Sequence, residues 1–344
     1  MADTPVSRRS FVGAAGAALA GAALAPGHAV AAPYVLRRSL SRPCAVASSN
    51  GLRGVAKAVD MMTQGADTLD AGVAGVKIQE LDPTDQSVGY GGLPNADGVV
   101  QLDASCMHGP TKRAGAVGAL EGIKTPSEIV QLVMKYTNHI MLVGRDAQRF
   151  ATSYGYPIED LLTPASREAW LHWRANMSAT DNYIDVPGSE KLVKTTTGTC
   201  PMMLVNQAGD VSSIVTTSGL SWKVPGRVGD SGIVGAGQFT DNEVGAAGST
   251  GLGECNMLVC GGFSVVDNMR RGMHPKDACL ATLKRVMAMI PARWVAPNGR
   301  PTFQLQYYAV NKAGVYGAAA MTASPFAVCD EKGARTEDCA VLFS

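Results

Sequence analysis

A cluster of hydroxyl side chains stands directly before an apolar run in the second half of the chain. The stretch KTTTGTCPMMLVN (194–206) places four threonines within five residues: Thr195, Thr196, Thr197 and Thr199. Thr199 follows Gly198 at the point where a polar loop meets a predicted strand. If the chain is cut before such a residue, the new α-amino group, with a pKa of about 8, can act as the base for the residue's own hydroxyl. The stretch therefore has two interpretations: an ordinary strand start, which threonine favours, or an amino-terminal nucleophile.

A glycine-rich segment further along the chain carries groups suited to recognising an amino acid. Arg227 provides a planar, bidentate donor for a carboxylate, and Asp230, three residues later, provides a negative charge for an ammonium group. Thr250 and Gly251 offer a hydroxyl and a backbone N–H, which are donors that stabilise an oxyanion. Taken alone, the first pair could also be an exposed ion pair in a turn, and the second an ordinary turn before a helix.

Hydrophobic periodicity predicts helices and strands in both halves of the chain. Helices are expected within 51–64, 66–81 (capped by Asp67), 126–144, 145–156, 166–177, 254–272 and 275–290. Strands are expected at 43–49, near 87–107 with a hairpin turn at 95–98, at the end of 126–144, in a hairpin over 200–219, and at 302–310, 314–321 and 324–330. Between them, 178–198 is polar and is predicted to be a mobile loop. The mixture favours layered helices and antiparallel sheets over a doubly wound fold.

Composition excludes several classes of function. Of the 344 residues, 46% are apolar and 17% are charged, and the net charge is +1, without basic runs that contain aromatic residues, so nucleic acid is not an expected partner. The glycine strings match neither a dinucleotide-binding motif nor a P-loop, and the eight cysteines lack zinc-ligand spacing. The cysteines are expected to be buried apolar side chains, with a disulfide between Cys329 and Cys339 as one possibility in an oxidising compartment.

The first 31 residues resemble a twin-arginine export signal. Arg8 and Arg9 precede an alanine-rich apolar stretch, and the small residues at 29–31 suit cleavage before Ala32. The alternatives are a disordered start or an uncleaved membrane anchor, but the stretch is short and poor in large aliphatic residues for a spanning helix. Export to the periplasm is therefore expected, with no membrane association once the signal is removed.

The segment 216–254 also carries a family resemblance. Its strings GRVGDS, GAG, GAA and TGLGE resemble, at matching spacing, the glycosylasparaginase and plant-type asparaginase family of N-terminal nucleophile hydrolases. The stretch DPTDQSVGYGGLPNADGVVQLDASCM (82–107) is similar to the glycosylasparaginase branch in particular. The resemblance extends over nearly all of the chain after the signal.

The resemblance implies a role for each matching position. It places the nucleophile at Thr199, with self-cleavage between Gly198 and Thr199, and puts the hydroxyl of Thr217 beside it. By the same match, Arg227 holds the substrate α-carboxylate, Asp230 holds the α-ammonium, Thr250 and Gly251 stabilise the oxyanion, and Ser87 lines the site.

Two positions depart from the glycosylasparaginase pattern. That branch usually has aspartate before the nucleophile, whereas this chain has Gly198, as in the plant-type branch. The branch also has a tryptophan just after the first strand, near the sugar end of the substrate, and the matching residue here is Ser49. The first departure bears on how the chain cleaves itself, and the second on its preference for a sugar.

The fold and activity implied by the resemblance are specific. The fold is an α+β, four-layer αββα sandwich made from an α subunit (32–198) and a β subunit (199–344) after self-cleavage, assembled as an (αβ)2 homo-oligomer. The activity is hydrolysis of the N-acetylglucosaminyl-asparagine amide through an acyl-enzyme on Thr199, without a metal or organic cofactor. The alternatives are an isoaspartyl peptidase or L-asparaginase, or, from another class, an uncleaved protein that binds an aspartate-like ligand or a glycan.

Overall fold

The computed structural model describes residues 41–175 and 198–344. The helices in this part of the chain are α1 (Leu52–Thr63), α2 (Thr68–Glu80), α3 (Pro126–Tyr136), α4 (Gly144–Ser153), α5 (Pro164–Ala175), α6 (Gly253–Met257), α7 (Gly261–Arg270) and α8 (Pro275–Met289). The strands are β1 (Cys44–Ser48), β2 (Gln101–His108), β3 (Arg113–Glu121), β4 (Met141–Val143), β5 (Cys200–Val205), β6 (Val211–Thr217), β7 (Gln238–Asp241), β8 (Gly245–Gly251), β9 (Leu305–Asn311), β10 (Tyr316–Ala320), β11 (Pro325–Asp330), β12 (Gly333–Asp338) and β13 (Ala340–Val341).

The strands form two sheets that are mostly antiparallel. An eight-stranded sheet has the order β12-β11-β1-β5-β6-β2-β3-β4, and a five-stranded sheet has the order β13-β10-β9-β8-β7. Among the strands of 41–175 and 198–344, the pairs β3–β4 and β10–β13 are parallel and the other pairs are antiparallel. The strand that follows Thr199, β5, therefore lies in the middle of the larger sheet.

Alternation along the strands separates the core into layers. On β5, Met202 and Leu204 pack with α1–α4, whereas Met203 and Val205 pack against the second sheet. On β9, Tyr307 packs with α6–α8 on the outer side of the smaller sheet. Because successive side chains of a strand point to opposite faces, central strands buried on both faces read as nearly continuous apolar runs. The result is the four-layer αββα sandwich that the resemblance implied.

Most predicted elements are confirmed. The first strand, the helices up to α5, the hairpin β5–β6, the helix α8 and the strands β9, β10 and β11 lie where they were expected. Asp67 caps α2, since its side chain accepts hydrogen bonds from the N–H groups of Leu69 and Asp70. The predicted loop 178–198 lies outside the described residues except at Gly198.

Other predictions need correction. The helix expected over 254–272 is two helices: α6 ends at Met257, and the left-handed backbone of Cys260 (φ 46°), immediately before α7, prevents one continuous helix. Asn95 does form a turn by accepting hydrogen bonds from the N–H groups of Asp97 and Val99, but the structure places no strand directly before this turn, so it is not a β-hairpin. Strands β3, β7, β8, β12 and β13 were not predicted.

The proposed disulfide is wrong. Cys329 and Cys339 are free, buried thiols. Cys329 packs in the core between the larger sheet and its helices, whereas Cys339 packs in the core between the two sheets. The two side chains therefore lie in different layers of the sandwich.

Within residues 41–175 and 198–344, no helix has the length and apolar character needed to cross a bilayer.

Candidate active site

Thr199 lies immediately before β5, where the two sheets face each other. Cys200 pairs with Thr216 across the β5–β6 ladder, so the next position outward brings Thr199 beside Thr217. The odd-numbered residues Val205 and Val211 of these strands lie in the core between the sheets. By the same alternation, the Thr199 and Thr217 side chains face the second sheet.

The two threonine hydroxyls form a directed chain. Thr199 Oγ1 donates to Thr217 Oγ1 at 3.2 Å, and Thr217 Oγ1 donates to the carbonyl oxygen of Gly198 at 2.7 Å. The N–H of Gly219 also donates to Thr217 Oγ1, at 2.9 Å. Thr217 thus accepts from the Thr199 hydroxyl while it polarises the carbonyl of the Gly198–Thr199 peptide.

Two further hydroxyls reach the carbonyl of Thr199. Ser48 Oγ, at the end of β1, donates to this oxygen at 2.8 Å. Thr250 Oγ1, which comes from β8 in the other sheet, is 3.5 Å from the same atom, and Gly251 follows it at the end of the strand. The predicted oxyanion pair therefore lies opposite the predicted nucleophile, across the space between the sheets.

Ser87 leaves room for nothing larger than glycine before Thr199. A Cβ built on Gly198 would lie 1.9 Å from Ser87 Cβ. The Ser87 hydroxyl and N–H both donate to the carboxylate of Asp85, which fixes this contact. Any side chain at position 198, aspartate included, would clash with Ser87 as it is placed here. Packing therefore explains why this chain has glycine instead of aspartate before Thr199.

Arg227 is held from one side by a carboxylate. Its Nε and Nη2 donate to the two carboxylate oxygens of Glu254, each at 2.8 Å. Burial opposes both charges, but the pairing outweighs it, so the pKa of Arg227 is raised and that of Glu254 is lowered. Nη1 lies near Gly219 and Gly229, and it has no hydrogen-bond partner among the residues that the structure describes. This end of the guanidinium is open to a second carboxylate.

Asp230 is a buried carboxylate, and one of its two oxygens already accepts hydrogen bonds from other side chains. Its Oδ2 accepts from Ser249 Oγ at 2.8 Å and from Asn256 Nδ2 at 2.7 Å. Burial is the largest effect on its ionisation and raises the pKa of the carboxyl. Oδ1 has no donor within 41–175 and 198–344, which leaves it available to a cation.

These groups line one cleft. Its walls are formed by Gly198, Thr199, Thr217, Gly219, Leu220, Arg227, Gly229, Asp230 and Gly251. The cleft contains the hydroxyl predicted to be the nucleophile, an open positive group and an open negative group, which together suit attack on an amino-acid substrate. Among the described residues, no three His, Cys, Asp or Glu side chains converge in the manner of a metal site.

Several residues at the site had not been predicted from the sequence. Ser48, Glu254, Ser249, Asn256 and Tyr307 all contact the predicted groups or their partners. Glu254 had a detectable signal, because it belongs to the string TGLGE that carried the resemblance. The others lie in strands and helices whose local sequence contains no sign of a site.

The αββα layers and the threonine that precedes a central strand define an N-terminal nucleophile hydrolase. The Asparaginase family profile matches residues 32–295. An N(4)-(beta-N-acetylglucosaminyl)-L-asparaginase of Elizabethkingia miricola is 37% identical over 96% of this chain and 94% of its own length. The mouse (Mus musculus) protein of the same name is 32% identical over 67% of this chain and 73% of its own length. The chain therefore belongs to the Asparaginase family.

Proposed function

We propose that this protein is a self-cleaving amidohydrolase that splits N-acetylglucosaminyl-asparagine into aspartate and an amino sugar. The observation that carries the proposal is the cleft itself, where Thr199, the open Nη1 of Arg227 and the open Oδ1 of Asp230 share one lining. Two curated relatives that bear the name of this activity, from Elizabethkingia miricola and mouse, support the choice of substrate.

Self-cleavage begins at the Gly198–Thr199 peptide. Thr199 Oγ attacks the carbonyl carbon of Gly198 while Thr217, which already donates to that carbonyl oxygen, stabilises the charge that develops. The C–N bond breaks to give an ester, with the proton of the hydroxyl passing to the Thr199 nitrogen. Water then hydrolyses the ester, which frees the carboxylate of Gly198 and the α-amino group of Thr199. The products are an α subunit that ends at Gly198 and a β subunit that begins at Thr199.

Substrate hydrolysis uses the same hydroxyl with its new base. Arg227 holds the α-carboxylate and Asp230 the α-ammonium, so the side-chain amide is presented to Thr199. The α-amino group takes the hydroxyl proton as Oγ attacks the amide carbon, and it returns a proton to the departing glycosylamine. Thr250 and the N–H of Gly251 stabilise the oxyanion, and Ser87 packs against Gly198, the residue before the nucleophile. Water then cleaves the ester on Thr199 and releases aspartate.

A second substrate class is favoured by Ser49. This residue is exposed and directly follows Ser48, whose hydroxyl is 2.8 Å from the backbone carbonyl of Thr199. A small side chain at this point offers no flat surface for a sugar ring and leaves room for other leaving groups. We therefore propose that β-aspartyl dipeptides and asparagine are also hydrolysed.

The proposed activity is tested by the intact mass of the purified protein followed by hydrolysis assays. A fragment that begins at Thr199, together with release of aspartate from N-acetylglucosaminyl-asparagine, is the expected result. An intact chain that binds aspartate without hydrolysing any of the three substrates would favour a binding protein instead.

Export and assembly are further parts of the proposal. The paired arginines Arg8 and Arg9 support export by the twin-arginine route, which cell fractionation of the wild type and of a variant with lysine at both positions would test.

Assembly as (αβ)2 is supported by the edge strand β4, which exposes Met141 and Val143 beside exposed Ile140. Light scattering of the cleaved protein would distinguish one αβ pair from two.

A further inference from the structure

The carboxylate of Asp230 is oriented by residues that do not line the cleft. Ser249 and Asn256 both donate to Oδ2, and the side chains of all three residues are buried. A carboxylate held by two donors on one oxygen keeps its other oxygen in a defined direction. The direction of Oδ1 therefore depends on Asn256 as much as on the backbone of Asp230.

The amide of Asn256 is itself held in one orientation. Tyr307 OH donates to Asn256 Oδ1 at 2.6 Å, and Asn256 Nδ2 also lies 2.9 Å from the carbonyl oxygen of Ala236. If the amide were rotated by half a turn, it would place its oxygen against the carboxylate of Asp230 and leave the phenol without an acceptor. Burial keeps the pKa of Tyr307 well above its ordinary value, so the phenol stays protonated and remains a donor.

The chain makes room for this contact at Gly261. A Cβ at this position would lie 1.8 Å from Asn256 Oδ1 and 2.2 Å from Tyr307 OH. Residues from α6, β9 and the first turn of α7 thus meet at one point. Two apolar side chains could fill this part of the core without any hydrogen bonds. Tyr307 and Asn256 instead form two aligned hydrogen bonds, which indicates a role beyond packing.

We propose that Asn256 and Tyr307 are positioning residues that aim Oδ1 of Asp230 at the α-ammonium of the substrate. The inference rests on the proposed function, since it assumes that Asp230 binds that ammonium. Asn256 acts directly on the carboxylate, and Tyr307 acts by fixing Asn256. Neither residue touches the substrate.

The test separates recognition of the ammonium from general damage to the site. L-Aspartate and succinate are the probes, because succinate is aspartate without the amino group. Inhibition constants for both are measured with the cleaved enzyme for the wild type, Tyr307→Phe and Asn256→Leu. Tyr307→Phe keeps the ring in the core, and a denaturing gel confirms that each variant produces two subunits.

Aspartate should bind about tenfold more weakly to Asn256→Leu and several-fold more weakly to Tyr307→Phe, while the succinate constants stay within about twofold of the wild type. Tyr316→Phe is the matched control: it removes a tyrosine hydroxyl from the neighbouring strand, where the phenol contacts Arg335 and Glu337 instead. This control should change neither constant.

Equal weakening of aspartate and succinate in the variants would overturn the inference, because it would show a purely structural role. No change in either constant would overturn it as well. If the wild type itself bound aspartate no better than succinate, Asp230 would not be the ammonium site and the inference would fail at its premise, whereas the proposed hydrolysis is tested separately by release of aspartate from the substrate.

Discussion

The hydroxyl of Thr199 donates a hydrogen bond in a defined direction and lies beside the peptide bond that it is proposed to attack. It donates to Thr217, which in turn donates to the carbonyl of Gly198. Thr199→Ala removes the attacking atom but leaves Thr217 and Gly198 in place. We expect one uncleaved chain and no amide hydrolysis, as measured by denaturing electrophoresis and an aspartate-release assay.

Thr197→Ala is the control for that experiment, since it removes a hydroxyl two residues earlier in the same threonine cluster. It should still give two subunits, the smaller beginning at Thr199 by N-terminal sequencing. Cleavage at another threonine, or full activity in an uncut wild-type chain, would contradict the assignment of the nucleophile.

Arg227 can bind a substrate carboxylate because Glu254 fixes the opposite side of its guanidinium. Arg227→Lys keeps the charge but loses the planar fork that both partners need. Leaving a buried charge unpaired costs about 2–5 kcal/mol, so we expect kcat/KM to fall by roughly 30-fold or more while both subunits are still produced.

Arg335→Lys is a matched comparison for Arg227→Lys. Arg335 donates to both carboxylate oxygens of Asp330, on strands that do not line the cleft. Its replacement should leave kcat/KM close to the wild-type value. Near-normal kinetics of Arg227→Lys would show that Arg227 does not hold the carboxylate.

Ser49 should decide how the leaving group is selected. Ser49→Trp adds a flat apolar surface next to Ser48, on which a sugar ring can stack. We expect the ratio of kcat/KM for N-acetylglucosaminyl-asparagine to that for a β-aspartyl dipeptide to rise several-fold. Asparagine, with the smallest leaving group, is the internal reference. A wild type that cuts the dipeptide but not the glycosylated asparagine would favour the isoaspartyl peptidase alternative.

At the scale of elements, the site depends on how closely β8 approaches β5. A Cβ on Gly248 would lie 2.8 Å from Met203 Sδ and 3.0 Å from Pro201 Cβ, so in Gly248→Ala the Met203 side chain must shift, and we expect β5 and β8 to separate by a few tenths of an ångström. Overpacking of this kind typically costs about 1–3 kcal/mol. Thr250 lies two residues further along β8 and would move away from the Thr199 carbonyl, so we expect a lower melting temperature and a lower kcat.

Gly299→Ala separates the two effects of Gly248→Ala. Gly299 has a φ of 77° and no atom within 4 Å of an added Cβ, so alanine there introduces backbone strain without a clash between the sheets. It should lower the melting temperature and leave kcat unchanged. If Gly248→Ala behaved in the same way, the spacing of the sheets would not control the site.

At the scale of the whole molecule, the buried side chain of Glu80 links two helices, and its contribution to the free energy of unfolding depends on pH. It is fully buried at the end of α2 and accepts hydrogen bonds from the N–H and hydroxyl of Ser127 at the start of α3. Burial is the largest effect and raises its pKa from 4.5 to about 7. The folded state therefore binds a proton that the unfolded state has lost between these two pH values.

The sign of the pH dependence follows from this shift. The stabilisation due to protonated Glu80 is full below pH 4.5 and is lost as the pH rises through about 7, a change of about 3 kcal/mol in the free energy of unfolding. Glu80→Gln has no titratable group at this position and does not lose this stabilisation. Its free energy of unfolding should therefore rise relative to that of the parent protein as the pH increases from 4.5 to about 7. Denaturant unfolding at several pH values, in the Thr199→Ala background so that every sample is a single chain, measures the difference. A constant difference across pH would contradict it.

Much of the fold follows from local patterns, and the exceptions have physical reasons. Apolar residues repeating every 3.6 positions predicted α1–α5, and continuous apolar runs predicted β1, β5 and β9. Both patterns are visible in the local sequence because they follow directly from which faces of a helix or strand are buried. The strand β8 (GAAGSTG) lacks β-branched residues except Thr250, and it is a strand because only small side chains allow the sheets to approach. Cys260 breaks a helix that periodicity alone would continue.

The sequence by itself identified the family and predicted the nucleophile position and the charged pair, because these groups lie in short segments whose spacing along the chain is informative. Only the tertiary structure brought Ser48 to Thr199, Glu254 to Arg227, and Tyr307 through Asn256 to Asp230. These partners are 26 to 151 residues apart in sequence. A hydrogen bond between such distant residues depends on how layers pack, and the local sequence carries no record of that packing.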